Sequence, residues 1–425
     1  MKKKITYKIK EKNKFKTSLI NYLNNYKRFC FLDSNRSSKN NSFEFLCALC
    51  FNEKNSKSIE NLSDLDKMIE SKKWIFGHIS YDKKNSIENL SSKNYDGISF
   101  PDVNFFVPDL LIKYSENKLS FLFDSLSANY VKKIFFDICQ TSPTSTSLQK
   151  LDVNCRVSKK NYKENINKIK EHLQNGDIYE MNYCQEFYVE KIEINPYNLF
   201  NNLNNESRAP FSALYRLDDK FCICASPERF LKKTGDKILS QPIKGTIKRN
   251  SNKEIDTNNK IQLMNSSKDF SENVMIVDLV RNDLSKISKK SSVKVDELAK
   301  LYSYTNVHHL ISTISCHFDK EKSFQDLINA TFPMGSMTGA PKLKSMELIE
   351  KFEDSKRGLF SGSIGYISPN FDFDFNVVIR SILYNKKNKY LSFTAGGAIT
   401  IESNPEDEYQ ECYAKAKLIF KILGH

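Results

Sequence analysis

No uninterrupted apolar run approaches the roughly 20 residues that a membrane-spanning helix requires. Polar residues break the longest apolar stretches every few positions. The lysine-rich start, residues 1–29, lacks the continuous apolar core that a secretory signal carries behind its charges, because Ile5, Tyr7, Ile9 and Phe15 are separated by Lys and Asn. A secretory signal is therefore excluded, no membrane contact is expected, and the expected location is cytoplasmic. Cysteine pairing is incomplete as well. Cys47 and Cys50 form a CxxC and Cys222 and Cys224 stand two apart, but neither has a second close pair or spaced histidines beside it in sequence, as a zinc site would need. Only folding could join the two pairs. Without a secretory route, the ten cysteines read as reduced, mostly buried thiols. The net charge of +14 has no basic stripe interleaved with aromatics. Its lysines are spread along the chain and mixed with acids, so a general bias toward Lys, Asn and Ile explains it, and nucleic-acid binding is not expected. No internal repeat is evident.

What is present is a chain of 425 residues, 40% hydrophobic, long enough for a large core and two subdomains. The Ser- and Thr-rich stretch 142–148, with Pro143, is the best linker. Strands are expected at 29–33 and 74–81. Residues 162–174 predict an amphipathic helix with Ile166, Ile169 and Leu173 on one face, stopped by Asn175 and Gly176. A strand over 178–192 and a meander over 211–247 follow, the latter punctuated by Asp218, Asp219, Gly235 and Asp236. Helices are expected at 271–286, 341–352 and 406–422, and strands at 307–318 and within 359–399. Strand runs outnumber βαβ alternations, so the class is α+β.

Eight segments then stand out: GDIYEMNYCQEF (176–187), ASPERF (225–230), PIKGT (242–246), SENVMIVDLVRNDL (271–284), VHHLIST (307–313), GSMTGAPK (335–342), GSIGYI (362–367) and AGGAITIESNPEDEYQE (395–411). In order and spacing they resemble the motifs of the chorismate-utilising enzymes, over roughly residues 160–420. The resemblance implies two facing antiparallel β-sheets flanked by helices, as in the first component of anthranilate synthase, with the active site between them. It implies a chorismate-binding catalytic domain at 155–423 behind an amino-terminal region at 1–145. Mg²⁺ and chorismate, a dicarboxylate with an enol-pyruvyl ether, are the implied cofactor and substrate.

The chemistry of the residues agrees. Glu408 and Glu411 lie three apart on the closing helix and project from one face. Like charges that close need a cation. With Glu272 from another helix they form a set suited to a hard octahedral ion such as Mg²⁺. Read without the resemblance, residues 406–411 are an acidic helix start. GSMTGAPK places Gly335, Ser336, Thr338 and Gly339 ahead of a helix beginning near Pro341, where free amides bind anions, although a loop before a first-turn Pro is also an ordinary start. By similarity Ser336 contacts the substrate, while Arg380, Tyr366, Lys415 and the Gly396–Gly397 loop hold its carboxylates. Arg380 can do so bidentately, and it is read as a strand residue whose burial would otherwise be costly. His309 resembles a histidine placed to donate a proton as a ring C–O bond breaks; the plain reading is a hydrogen-bonded core His. Glu228 resembles an acid/base carboxylate, or, beside Pro227, a turn residue.

Lys244 separates the branches. The motif reads PIAGT in anthranilate synthases and PIKGT in aminodeoxychorismate synthases, and this chain has PIKGT. A partly desolvated Lys amine can serve as a nucleophile. The resemblance thus implies a chorismate-binding component of a 4-amino-4-deoxychorismate synthase, on the route to p-aminobenzoate and folate, in which Lys244 attacks the ring and ammonia then replaces it at C4. No glutaminase pattern is visible, so ammonia is expected from a separate glutamine amidotransferase subunit. Two departures stand out. Glu180 replaces the usual Gln after GDIY, which leaves hydration to isochorismate open, and Ala398 replaces a third glycine. Segments 31–35 and 77–85 (GHISYDKKN) resemble the amino-terminal region of the same branch, and no LLES-type feedback element is visible. The rival expectations are an anthranilate synthase component I and a non-catalytic scaffold for an amidotransferase.

Overall fold

The structure is a computed structural model describing residues 1–35, 43–51, 58–142 and 150–424. The expected linker lies outside the described residues beyond Ser142. Among the described residues the strands pair antiparallel into one sheet of twelve and one of nine, flanked by helices, so the α+β sandwich is borne out.

The first sheet runs, in hydrogen-bonded order, Lys3–Tyr7, Lys118–Phe123, Leu110–Ser115, Phe45–Leu49, Arg28–Asp33, Phe211–Leu217, Lys220–Ser226, Ser381–Asn385, Tyr390–Ile399, Glu180–Val189 and Gly339–Ala340, with Asn154–Cys155 also on Glu180–Val189. The second runs Ile243–Lys248, Val307–His317, Lys237–Gln241, Arg229–Thr234, Phe373–Asn376, Ser363–Ile367, Ile75–Ile79 and Val103–Phe106, with Lys294–Ser303 also on Val307–His317. Strands from the amino-terminal region enter both sheets. Arg28–Asp33 pairs with Phe211–Leu217, and Ile75–Ile79 pairs with Ser363–Ile367.

Alternation along the strands sorts the side chains into two cores. In Arg28–Asp33, Cys30 and Leu32 join a core that includes Phe76, Phe230 and Phe375 from the second sheet and therefore lies between the sheets. Phe29 and Phe31 face the opposite way and join Phe221, Phe393 and Ile419, under the helices that cover the first sheet.

The helices form where capping and periodicity dictate. Lys159–Gln174 is capped by Ser158, buries Tyr162, Ile166 and Ile169 at helical spacing, and stops at Asn175 before Gly176 at φ +77°. Ser267–Ser285 begins a turn earlier than expected because Ser266 accepts from the Asp269 amide. Pro405–Ile422 is capped by Asn404. All ten cysteines are free thiols, eight of them buried. Cys47 and Cys50 turn to different cores, and no group of three His, Cys, Asp or Glu at metal-binding spacing is found among the described residues. Among them, too, no helix is long and apolar enough to cross a membrane.

Candidate active site

The strand Glu180–Val189 of the first sheet and the strand Ile243–Lys248 of the second bring Glu180 and Lys244 together, with Lys244 Nζ 2.5 Å from Glu180 Oε1. Glu272, on the helix Ser267–Ser285, stands 3.7 Å from the same nitrogen. Burial alone would lower the Lys244 pKa, but the Glu180 carboxylate, with Glu272 behind it, outweighs burial and leaves the ammonium above its usual range. The Glu228 charge acts in the same direction but ranks behind Glu180 and Glu272. The Lys244 backbone is pinned by Asn273, whose amide donates to its carbonyl at 2.8 Å.

Glu228 is 4% exposed and accepts a hydrogen bond from Ser336 Oγ at 2.6 Å. Burial pushes its carboxyl up to about 7, with the Ser336 bond and the Lys244 charge opposing. Ser336 sits in a single 3₁₀ turn, Gly335–Met337. The helix expected from Pro341 starts instead at Lys342, and the two-residue strand Gly339–Ala340 intervenes, pairing with Met181 and Glu180. Gly339 has φ +149°, and a Cβ there would stand 2.1 Å from the Glu180 carbonyl oxygen. Only glycine lets the segment approach the first sheet this closely.

His309 lies opposite Thr246 in the ladder and its Nδ1 is 2.7 Å from Thr246 Oγ1. Burial, aided by the Arg380 charge, lowers its pKa to about 3, so the imidazole is neutral near pH 7. A neutral imidazole is a weak acid, so Glu228, with a pKa of about 7, suits the proton donation expected of His309 better.

The carboxylate pair forms as the helical spacing implies. Glu408 is buried, accepts from Ser403 Oγ at 2.7 Å and lies 3.6 Å from Lys268 Nζ. Burial raises its pKa against Ser403. Glu411 pairs with Lys415 at 2.6 Å, and although burial pushes its pKa up, Lys415 outweighs burial and the pKa is lowered. Lys415 Nζ also donates to the Gly396 carbonyl at 2.8 Å. Burial lowers the Lys268 pKa, but the charges of Glu408, Glu272 and Glu411 outweigh it and raise it. Glu408 Oε2 is buried without a hydrogen-bond partner. A Cβ on Gly397 would sit 3.1 Å from Glu408 Oε2 and 3.2 Å from Glu411 Oε1, so this glycine leaves room directly in front of both carboxylates. An unpartnered hard oxygen, a second carboxylate and free space fit a divalent cation, with Lys268 supplying the counter-charge in this structure.

Arg380 is not in a strand. It precedes Ser381–Asn385 with φ +53°, donates to the Lys415 carbonyl, and is lowered by burial to about 10 despite Glu411. Its guanidinium thus reaches the helix that carries the carboxylates. Tyr366 is placed elsewhere. Its ring packs against Phe43, Trp74 and Phe76 at 5.5, 5.7 and 6.0 Å, and it lines a separate cavity with Asp33, Ser34 and Phe211.

Sequence reading missed Lys268, Asn273, Thr246 and Ser403. Lys268 had a signal, since it lies one helical turn before Glu272; Ser403 bonds Glu408 only five residues on, whereas Asn273 and Thr246 act through cross-element hydrogen bonds that no local pattern encodes.

The family model described as chorismate binding enzyme matches residues 27–421. Aminodeoxychorismate synthase component 1 of Escherichia coli (strain K12) is 34% identical over 349 residues, 82% of this chain and 76% of the relative. That of Bacillus subtilis (strain 168) is 30% identical over 360 residues, 82% and 76% of the two chains. Anthranilate synthase component 1 of Acetivibrio thermocellus is 30% identical over 369 residues, 82% and 74%. Among solved structures, anthranilate synthase component I from Streptococcus pneumoniae TIGR4 aligns with a TM-score of 0.73 at 27% identity, over 81% and 80% of the chains. The isochorismate synthase MenF from Escherichia coli aligns with a TM-score of 0.79 at 17% identity over 100% and 94%, a likeness of fold alone.

Proposed function

The chain belongs to the family of chorismate-binding enzymes, and from that premise we propose that it aminates chorismate at C4, giving 4-amino-4-deoxychorismate for p-aminobenzoate and folate synthesis. The observation that carries this reading is Lys244, buried inside PIKGT with Nζ held at 2.5 Å by Glu180. The similarity to aminodeoxychorismate synthase component 1 of Escherichia coli supports it.

Arg380 and Lys415 supply positive charge for the substrate's carboxylates. Glu408 and Glu411 would hold Mg²⁺, which would supply a hard cation for a substrate carboxylate; Glu272, expected as a third ligand, stands 3.7 Å from Lys244 Nζ, and no group of three such residues lies at metal-binding spacing among the described residues. Lys244 gives a proton to Glu180 and its amine attacks the far end of the ring's conjugated diene. The ring double bonds shift, the C4–O bond breaks, and protonated Glu228 donates its proton so that the hydroxyl leaves as water. Ammonia adds at C4, the double bonds shift back, and the Lys244 amine is expelled. The surplus ammonium proton returns to Glu228, so atoms and charge balance. His309, neutral beside Thr246, positions the PIKGT strand. Hydration is disfavoured because Glu180 is paired with Lys244 and is not free to activate water.

The relatives' designation as a first component supports a partner subunit. We assign ammonia supply to a glutamine amidotransferase and the location to the cytoplasm. The test is to incubate the purified chain with chorismate, Mg²⁺ and ammonium and identify the product by mass. Aminodeoxychorismate is expected, with none from glutamine until an amidotransferase is added. Anthranilate or isochorismate as product would overturn the reading.

A further inference from the structure

The turn that carries Ser336 has little to hold it from within, being three residues of 3₁₀ helix. A buried charge pair holds it from below. Arg357 is 4% exposed, and every one of its five N–H donors is used. Nε and one terminal nitrogen grip Glu353 at 2.9 and 2.6 Å. The other terminal nitrogen donates to the Met337 carbonyl at 2.6 Å and to Ser361 Oγ at 3.4 Å, and the Glu353-facing one also donates to the Asn182 carbonyl at 3.0 Å. Asn182 completes the link, since its side chain donates to the Ser336 carbonyl at 3.1 Å and its backbone amide to the Thr338 carbonyl at 2.8 Å.

The segment GHISYDKKN closes this hub from the amino-terminal side. Tyr81 lays its ring 4.6 Å from the Arg357 guanidinium, and Asp82 accepts from the Gly358 amide at 2.9 Å. Burying an ion pair with a full set of hydrogen bonds adds little net stability over a well-packed apolar group, so its presence points to a geometric task.

We propose that Arg357, clamped by Glu353 and capped by Tyr81 and Asp82, is a positioning residue that fixes the Ser336 turn so that Ser336 meets Glu228. The inference rests on the proposed amination, because it concerns the proton donor of that reaction. A lysine at 357 keeps the charge but cannot reproduce the planar fork. A displacement of the turn by about 1 Å would cost on the order of a hundredfold in rate.

The test is a double-mutant cycle on amination with saturating ammonium. Arg357→Lys is expected to lower kcat by about a hundredfold with little change in the KM for chorismate. In a Ser336→Ala background the same substitution should change kcat far less, because the group it positions is already absent. Asn182→Ala, which leaves the Arg357 hub intact, should show the same non-additivity and serves if Arg357→Lys does not fold. Losses that simply multiply between Ser336 and either partner, or a loss carried entirely in KM, would overturn the inference. A wild-type chain with no amination activity would instead sink the underlying functional reading.

Discussion

Glu180 and Lys244 meet across the gap between the two sheets at 2.5 Å, although 64 residues separate them in the chain. Glu180 is one of the chain's two departures from the family pattern, and it controls the charge on the proposed nucleophile.

Removing one member of such a pair strands the other in a site that water cannot reach. Glu180→Leu is expected to destabilise the fold by about 3–5 kcal/mol, measured by urea unfolding, whereas Glu180→Gln keeps an acceptor and should cost less. Loss of the carboxylate that outweighs burial also moves the Lys244 pKa downward. A leucine variant as stable as the parent would mean that the pair does not form.

Lys244 itself can be trapped. Without ammonia, incubation with chorismate should leave a covalent adduct of the mass of chorismate less one water on the peptide containing Lys244, detected by mass spectrometry. Lys244→Ala should abolish the adduct and reduce amination at limiting ammonia by on the order of a hundredfold or more, while chorismate binding persists through Arg380 and Lys415. An adduct mapped to another lysine contradicts this assignment.

Glu228 should give a pH signature. Its folded pKa of about 7 lies above the ordinary 4.5 of a solvent-exposed glutamate. Between these values the folded chain keeps a proton that the unfolded chain has released. The stabilisation is therefore complete below pH 4.5 and declines as pH rises to about 7, by about 3 kcal/mol in total. Unfolding free energies measured across pH 4–8 should show this slope, and Glu228→Gln should flatten it. Turnover should fall as pH rises past about 7, because the donor is then ionised.

The carboxylate end can be tested through the space in front of it. Gly397→Ala puts a methyl group 3.1 Å from Glu408 Oε2 and 3.2 Å from Glu411 Oε1. Mg²⁺ affinity should drop by about tenfold, read as a smaller Mg²⁺-induced rise in melting temperature. Glu411→Gln should remove that rise altogether, and excess chelator should stop turnover of the parent. Unchanged activity in chelator would take the metal out of the reaction.

Much of the fold was legible in local pattern. Ile166 and Ile169 declared their helix by spacing, Asn175 and Gly176 its end, and Glu408 and Glu411 their shared face. What local pattern cannot show is which strand lies opposite which. Alternation tells that Glu180 points to one side of its strand, but not that Lys244 waits there. The same limit explains Arg380, whose left-handed backbone sits in the link from Phe373–Asn376 of the second sheet to Ser381–Asn385 of the first and does not follow from its apolar neighbours. It also explains Tyr366, whose motif position gave no hint of Phe43, Trp74 and Phe76 around its ring.

The interleaving of early and late strands has a consequence for dissecting the molecule. Cutting the chain near residue 150 removes the neighbours of Phe211–Leu217 and Ser363–Ile367, leaving each sheet with a raw, apolar border. Such borders recruit other strands. The carboxyl-terminal fragment, although it holds every residue assigned to the chemistry, is expected to be recovered as aggregate, and co-expression of the missing amino-terminal piece as a separate polypeptide is the natural way to return it to solution.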